Sequence, residues 1–254
     1  RISGQRSSNC HYSFLHRKLM KLALRKATLI VLNSGAYQLS AEKFLPSNVP
    51  IDEIPNGIVS TKFIQVNQRD HLHLELNLAQ DVYLVGCVGR LAVEKGLEDV
   101  LRAFALIEDQ KIHLVLAGDG PQRRHLLLLR NSLNLLDRVH FLGVRYDIPE
   151  VLSSLALYVQ ASAFEGMSNS LMEAMASGCP VIVSAIPGNL ELVSDRETGW
   201  VFQVGEAPKL AKLITEVMSQ PNLAVRYAVA AQKKILYNYS EDRMLNSWAK
   251  RVLQ

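Results

Sequence analysis

Glu165 and Glu173 bracket the run Glu-Gly-Met-Ser-Asn-Ser-Leu-Met-Glu, and the residues between them suit the start of a helix. Ser168, Asn169 and Ser170 carry side chains that bond to the free backbone N–H groups of a first helical turn. That end of a helix bears partial positive charge, so a diphosphate placed there gains hydrogen bonds and field together. Gly166, followed by Met167, lets the chain approach such a ligand closely. An ionised carboxylate only accepts hydrogen bonds, so Glu173, inside the helix, suits sugar hydroxyls. If both glutamates were helical they would point about 80° apart and stand about 12 Å apart along the axis. The paired carboxylates of a retaining glycosidase need about 5–5.5 Å. The spacing argues against a two-carboxylate hydrolase and puts Glu165 on the loop ahead of the helix, each acid with its own task. The chemistry that fits is a sugar nucleotide; an ordinary surface helix with solvated acids is the alternative.

A second group of residues follows an apolar run earlier in the chain. In Gly89-Arg90-Leu91-Ala92-Val93-Glu94-Lys95-Gly96, Gly89 allows a sharp turn and Gly96 allows tight packing at a helix start. Arg90 and Lys95 are two cations at the carboxyl end of a strand, where open α/β sheets bind ligands. Arg suits bidentate contact with phosphate and Lys adds a mobile point charge. A solvated loop with Glu94 as partner is the competing reading, and the order of a Walker A loop is absent. Asp119, in Ala-Gly-Asp-Gly-Pro, reads as a turn and cap, with Pro121 suited to the first helical position. Gly143 and Val144 follow the next strand and offer an apolar slot with backbone groups for a nucleobase edge; a plain strand–loop junction is the alternative. Glu191 is read as a helix-start carboxylate.

These loops need a scaffold, and the rest of the chain supplies one. Short apolar runs at Thr28–Leu32, Val82–Val88, Ile112–Ala117, Val139–Leu142, Leu157–Gln160, Val181–Ser184 and Trp200–Phe202 alternate with amphipathic segments at Gly96–Ile107, Gln122–Leu133, Ser168–Ser177 and Ala207–Met218. This predicts an α/β fold, a Rossmann-like parallel sheet with helices on both faces. Pro55-Asn56-Gly57 is a punctuated boundary. Before it lie one helix–strand–helix stretch and the short strand Ile51–Ile54, too little for a complete α/β domain. Residues 1–54 are therefore expected to be the remnant of a preceding domain, 55–236 one Rossmann-like domain, and 237–254 a terminal helix. The chain starts at Arg1, so an upstream segment is expected.

Composition excludes some classes. Lys plus Arg is 28 against 24 for Asp plus Glu, a net charge of +4, without the dense basic stripe of a nucleic-acid binder. No apolar run reaches the ~20 residues of a membrane span. Cys10, Cys87 and Cys179 lack metal spacing and read as reduced thiols, which fits a cytoplasmic protein. The seven histidines form no recognised metal pair, and His71 and His73 fall on different faces of a helix, so no metal and no catalytic histidine is assigned. The basic, Leu-interrupted segment from His16 to Lys26 reads as a solvated helix face or a contact with an anionic membrane surface.

In order and spelling, five runs resemble glycosyltransferase family 4, retaining enzymes of the GT-B fold. They are Gly89-Arg90 with Lys95-Gly96, Ala117 to Pro121, Phe141 to Gly143, Glu165-Gly166 with Glu173 to Val181, and Glu191 to Val193 with Thr198-Gly199. They cover roughly Ile54 to Val204. The resemblance implies two Rossmann-like domains with the site in the cleft, and a C-terminal domain that binds a UDP- or GDP-sugar. It implies that Arg90 and Lys95 hold the diphosphate in place of a metal and that Glu165 contacts the donor sugar. Glu173 would bind the ribose, Gly89 and Val144 would lie at the nucleotide, and Gly166, Met167, Ser168, Asn169 and Ser170 would supply backbone donors. The acceptor would be a glycan or lipid-linked sugar, and the terminal helix would cross back toward the N-terminal domain. The family's Gly-rich first loop has no counterpart here, and His11 lacks the context of its catalytic-region histidine. The 254 residues alone are therefore expected to be inactive. The Glu-Gly-Met-Ser-Asn-Ser spelling is similar to members that build bacterial surface polysaccharides. A non-catalytic nucleotide-sugar-binding module and a GT-B-like epimerase or phosphorylase are the rival readings.

Overall fold

Six of the apolar runs pair edge to edge into one parallel sheet in the computed structural model, which describes residues 2–5, 18–19, 22–35, 45, 48–64, 66 and 68–252. The strands are β4 (Tyr83–Val88), β5 (Ile112–Ala117), β6 (Val139–Gly143), β7 (Leu157–Gln160), β8 (Val181–Ser184) and β9 (Trp200–Phe202). Their spatial order is β6-β5-β4-β7-β8-β9, so the chain winds outward from β4, returns, and winds outward again from β7. This is the doubly wound order, and its switch point lies between β4 and β7. In register, Val85 pairs with Leu157 and Gly86 with Tyr158.

Alternating side chains bury both faces. On one, Val85 and Cys87 of β4 and Leu114 of β5 pack under α3 (Leu97–Ala105), α4 (Arg123–Ser132) and α8 (Ala207–Ser219). On the other, Leu84, Val115 and Tyr158 pack under α5 (Ile148–Ser153), α6 (Asn169–Ala176) and α9 (Pro221–Asn238). Trp200 is fully buried, its ring 4.8 Å from that of Tyr227. Trp200→Ala is expected to cost about 3–5 kcal/mol and to lower the melting temperature by roughly 6–20 °C in a circular-dichroism melt. A shift of a degree or less would show that the site collapses without penalty.

A separate three-stranded parallel sheet, β1-β2-β3, lies in the first part of the chain: β1 (Ile2–Gln5), β2 (Leu29–Leu32) and β3 (Ile51–Glu53). Ile30, Leu32, Leu45 and Val49 form its core. The polar, Gly-containing strand Ile2–Gln5 carries no apolar signal and was not expected. Four short helices also escape sequence periodicity: α1 (Thr61–Ile64), α2 (His71–Glu75), α5 and α7 (Pro187–Leu192). Each spans fewer than two full turns, too little for a pattern of 3.6 residues to repeat. The last helix, α10 (Glu241–Val252), returns to the boundary. Ile58 N–H donates to the Tyr239 carbonyl at 2.8 Å, Gly57 N–H donates to Met244 Sδ at 3.2 Å, and Arg251 ion-pairs with Asp52 of β3.

Candidate functional site

The loops that leave β4, β5, β6 and β7 meet at the carboxyl edge of the sheet and are joined by backbone hydrogen bonds. Leu91 N–H donates to Asp119 O at 2.9 Å, Gly118 N–H to Gly143 O at 2.6 Å, and Ala163 N–H to Glu94 O at 2.9 Å. Gly96 closes the β4 loop in the left-handed region (φ 62°), and a Cβ there would stand 2.1 Å from Ala161 O. The tight helix-start packing expected of Gly96 is thus contact with the β7 loop. A single 3-10 turn, Val93–Lys95, precedes α3 and aims Lys95 across the switch point.

There Lys95 Nζ pairs with Glu165 Oε1, both side chains being largely buried. The same oxygen accepts from Gln160 Nε2 at 3.0 Å and Ser162 Oγ at 2.9 Å. Gly89, Arg90, Lys95, Tyr158, Gln160 and Ser162 line one narrow cleft between β4 and β7. Arg90 is exposed at its mouth, its side chain without an ion pair or hydrogen bond among the described residues. Lys95 has three N–H donors, and one goes to Glu165, which leaves two for an anion.

Glu165 lies on the loop and Glu173 inside α6, the arrangement the seven-residue gap requires. Ser168 is the N-cap: it receives Leu171 N–H on its hydroxyl at 3.3 Å. Gly166, Met167 and Ser168 are buried, and Asn169 is exposed, its Oδ1 accepting from Asn56 Nδ2 of the boundary loop at 2.8 Å. Glu173 is half-buried, its carboxylate without a partner among the described residues, and burial pushes that carboxyl above the usual range. A carboxylate so placed is short of donors.

Val144 is exposed on the loop after β6, beside a clamp in which Arg145 binds Glu75 and Asp147. Hydrogen bonds from Arg145 hold the Asp147 carboxyl well below the usual range. His71 joins this clamp at 2.9 Å from Asp147 Oδ2, whereas His73 bonds the Val82 carbonyl, so the two rings do diverge.

Three expectations need correction. Glu191 is the fifth residue of α7, not its start, because the helix begins at Pro187; its Oε2 accepts from Ser34 Oγ at 2.6 Å, linking the two sheets. Pro121 lies in the turn two residues before α4, where Gly120 N–H is already held by the Asp119 side chain at 2.7 Å. Before the boundary there are three strands rather than two. Asp119 serves its turn, as read from the sequence. Cys87 and Cys179 are buried and free, and burial pushes the Cys87 thiol up to about 12. Cys10 and His11 lie outside the described residues. Among the described residues no group of three or more His, Cys, Asp or Glu side chains could hold a metal, and no helix is long and apolar enough to cross a membrane. Gln160, Ser162 and Tyr158 are the site residues that sequence reasoning missed, because a polar pair flanking an apolar strand end carries no motif.

Comparison with known proteins gives this geometry a context. The family described as glycosyl transferases group 1 matches residues 68–234. A lipopolysaccharide core biosynthesis glycosyltransferase, LpsE of Rhizobium meliloti, is 26% identical over 68% of this chain and 51% of its own length. A UDP-Gal:alpha-D-GlcNAc-diphosphoundecaprenol alpha-1,3-galactosyltransferase of Escherichia coli is 29% identical over 79% of this chain and 54% of its own. The chain thus spans about half the length of such curated relatives. Among solved structures, Anabaena HepE in complex with UDP-glucose superposes with a TM-score of 0.92 at 26% identity, over 99% of this chain and 71% of its own. The fold matches GT-B glycosyltransferases.

Proposed function

The chain belongs to the glycosyl transferases group 1 family, and on that premise we propose that it holds the donor site of a retaining, metal-independent glycosyltransferase of family 4 that uses a nucleotide-diphosphate sugar. The observation that carries the reading is the meeting, at the β4/β7 switch point, of an Arg90 side chain with no partner among the described residues, the Lys95–Glu165 pair and the amino end of α6. The diphosphate rests between Arg90, the free donors of Lys95 and the N–H groups from Gly166 to Ser170. Glu173 accepts from the ribose hydroxyls, Glu165 Oε2 accepts from the donor sugar, and the backbone at Val144 reads the base. In the transfer, the bond from the anomeric carbon to the diphosphate oxygen breaks and the nucleoside diphosphate leaves with the electron pair. A bond to an acceptor hydroxyl oxygen forms, and that hydroxyl gives up its proton to the departing diphosphate oxygen. Arg90 and Lys95 neutralise the charge that gathers on the leaving group, the task a metal has elsewhere.

The likeness to HepE, solved with UDP-glucose, supports a UDP-sugar as donor. The relatives in lipopolysaccharide and lipid-linked sugar assembly support an acceptor in cell-surface polysaccharide synthesis. The separate β1-β2-β3 sheet is the closing part of an acceptor-side domain, and α10 crosses back to it through Arg251 and Asp52.

The test is ligand-induced stabilisation. UDP or GDP at a hundred times its Kd is expected to add about 2.7 kcal/mol, or roughly 5–11 °C in a thermal-shift assay. The double variant Arg90→Ala/Lys95→Ala removes that shift. No shift with either nucleotide at millimolar concentration would sink the proposal.

A further inference from the structure

Every described bond to the Glu165 carboxylate falls on one oxygen: Lys95, Gln160 and Ser162 all meet Oε1, and none meets Oε2. The arrangement behind that asymmetry has a definite direction. A carboxylate paired with Lys95 only accepts, so the Nε2 end of Gln160 faces it and the Oε1 end faces Tyr158. The Tyr158 hydroxyl donates to Gln160 Oε1 at 2.7 Å and has then spent its single hydrogen. Ser170, 3.0 Å from the phenol oxygen, is left to donate to it. Ser168 Oγ receives Leu171 N–H at 3.3 Å and Gln160 Nε2 at 3.1 Å, which frees its own hydrogen for Ser170 at 3.2 Å. Gln160, Ser168, Ser170 and Tyr158 therefore close a ring whose hydrogens all run the same way. Gln160 and Ser168 are each 4% exposed and Tyr158 is fully buried, so the bonds reinforce one another in a low dielectric. The second Gln160 hydrogen leaves the ring toward Glu165 and Ser162, 3.1 Å from Ser162 Oγ.

We propose that Gln160 is the positioning residue of this site: it holds Glu165 so that Oε2 alone faces one hydroxyl of the donor sugar, in fixed relation to the start of α6. The proposal rests on the nucleotide-sugar reading and deepens it. Two consequences follow from the hydrogen count. The Ser168 and Ser170 hydroxyl hydrogens are spent inside the ring, so the diphosphate is met there by backbone N–H groups. A single amide also sets the Glu165 carboxylate in register with the start of α6, which keeps holds of its own in the Ser168 cap and the Ser170–Tyr158 bond.

The experiment compares UDP and UDP-glucose by titration calorimetry on the full chain. In the wild type, UDP-glucose is expected to bind more tightly than UDP. Gln160→Met keeps the length and volume of the side chain and removes both hydrogen-bonding ends. It is expected to weaken UDP-glucose roughly tenfold or more while changing UDP little, since a bond to a charged group is the one mispositioned. Ser162→Ala, a smaller disturbance, is expected to act in the same direction and serves if Gln160→Met melts early. Equal weakening of both ligands, or unchanged affinity for both, would show that Gln160 only supports the fold and overturns the proposal. Equal wild-type affinity for UDP and UDP-glucose overturns it as well. No binding of either ligand to the wild type overturns the nucleotide-sugar reading, and this proposal with it.

Discussion

Glu173→Gln is expected to stabilise the ligand-free protein at neutral pH and to weaken UDP binding roughly tenfold or more. The two effects share one cause. Glu173 is half-buried in α6, its carboxylate without a partner among the described residues, and burial raises its carboxyl pKa above the unfolded value. A raised pKa means that the fold favours the neutral acid. Below the unfolded pKa of about 4.3 the group is protonated in both states and costs nothing. As pH climbs through the raised folded value, the unfolded state ionises more readily and stability falls. Glutamine removes that loss, so the variant and wild type should melt alike in acid and diverge toward neutrality, with the variant higher. UDP reverses the order: ribose hydroxyls supply the donors the carboxylate lacks, and a hydrogen bond to a charged group is worth about 1.5–3 kcal/mol. Melting curves across pH, with and without UDP, read both effects. A variant less stable at neutral pH that still binds UDP like the wild type would show that Glu173 is a structural residue.

The second large effect is expected of Gly188→Ala, which adds one methyl group outside any ligand contact. Its Cβ would stand 2.0 Å from Gly166 O and 2.5 Å from Glu165 O, both backbone atoms of the loop that carries the Glu165 carboxylate. Neither atom can swing aside as a side chain would, so the loop must move. Overpacking of this kind costs about 1–3 kcal/mol, a fall of roughly 2–12 °C for a domain of this size. The displaced loop also carries Glu165 away from Lys95 and Gln160, so the added affinity of UDP-glucose over UDP should vanish. Leu190→Ala, at a half-exposed position on the same helix, is the control and should leave both readings nearly unchanged. A Gly188→Ala protein that melts with the wild type and still prefers UDP-glucose would remove the argument that this contact sets the loop.

Much of the candidate site's geometry was legible because it is local. The helix start at Ser168 follows from side chains that bond to nearby N–H groups. The separate stations of Glu165 and Glu173 follow from helix geometry, and the six-strand sheet from runs of apolar residues long enough to show a period. What escaped was short or distant. The helix Pro187–Leu192 is under two turns, so the local pattern puts Glu191 at a helix start, whereas it stands in the last turn, bound to Ser34, 157 positions away in sequence. The missing side chain of Gly188 lets α7 lie against the Glu165–Gly166 backbone, a contact between segments that no local pattern marks.

The sequence by itself determined the α/β class, the strand-end loops and the residue types a sugar nucleotide needs, since these depend on neighbours within a few positions. Only the tertiary structure decided the strand order, because pairing of β4 with β7 is a choice among edges that no local pattern encodes. That one adjacency brings Lys95 to Glu165 across 70 positions and sets Gln160 beneath them. Among the described residues Lys95 is thereby paired, while the Arg90 side chain at the cleft mouth has no ion pair. Which carboxylate oxygen is left for a ligand follows from hydrogen-bond counting over side chains that meet only once the sheet has formed.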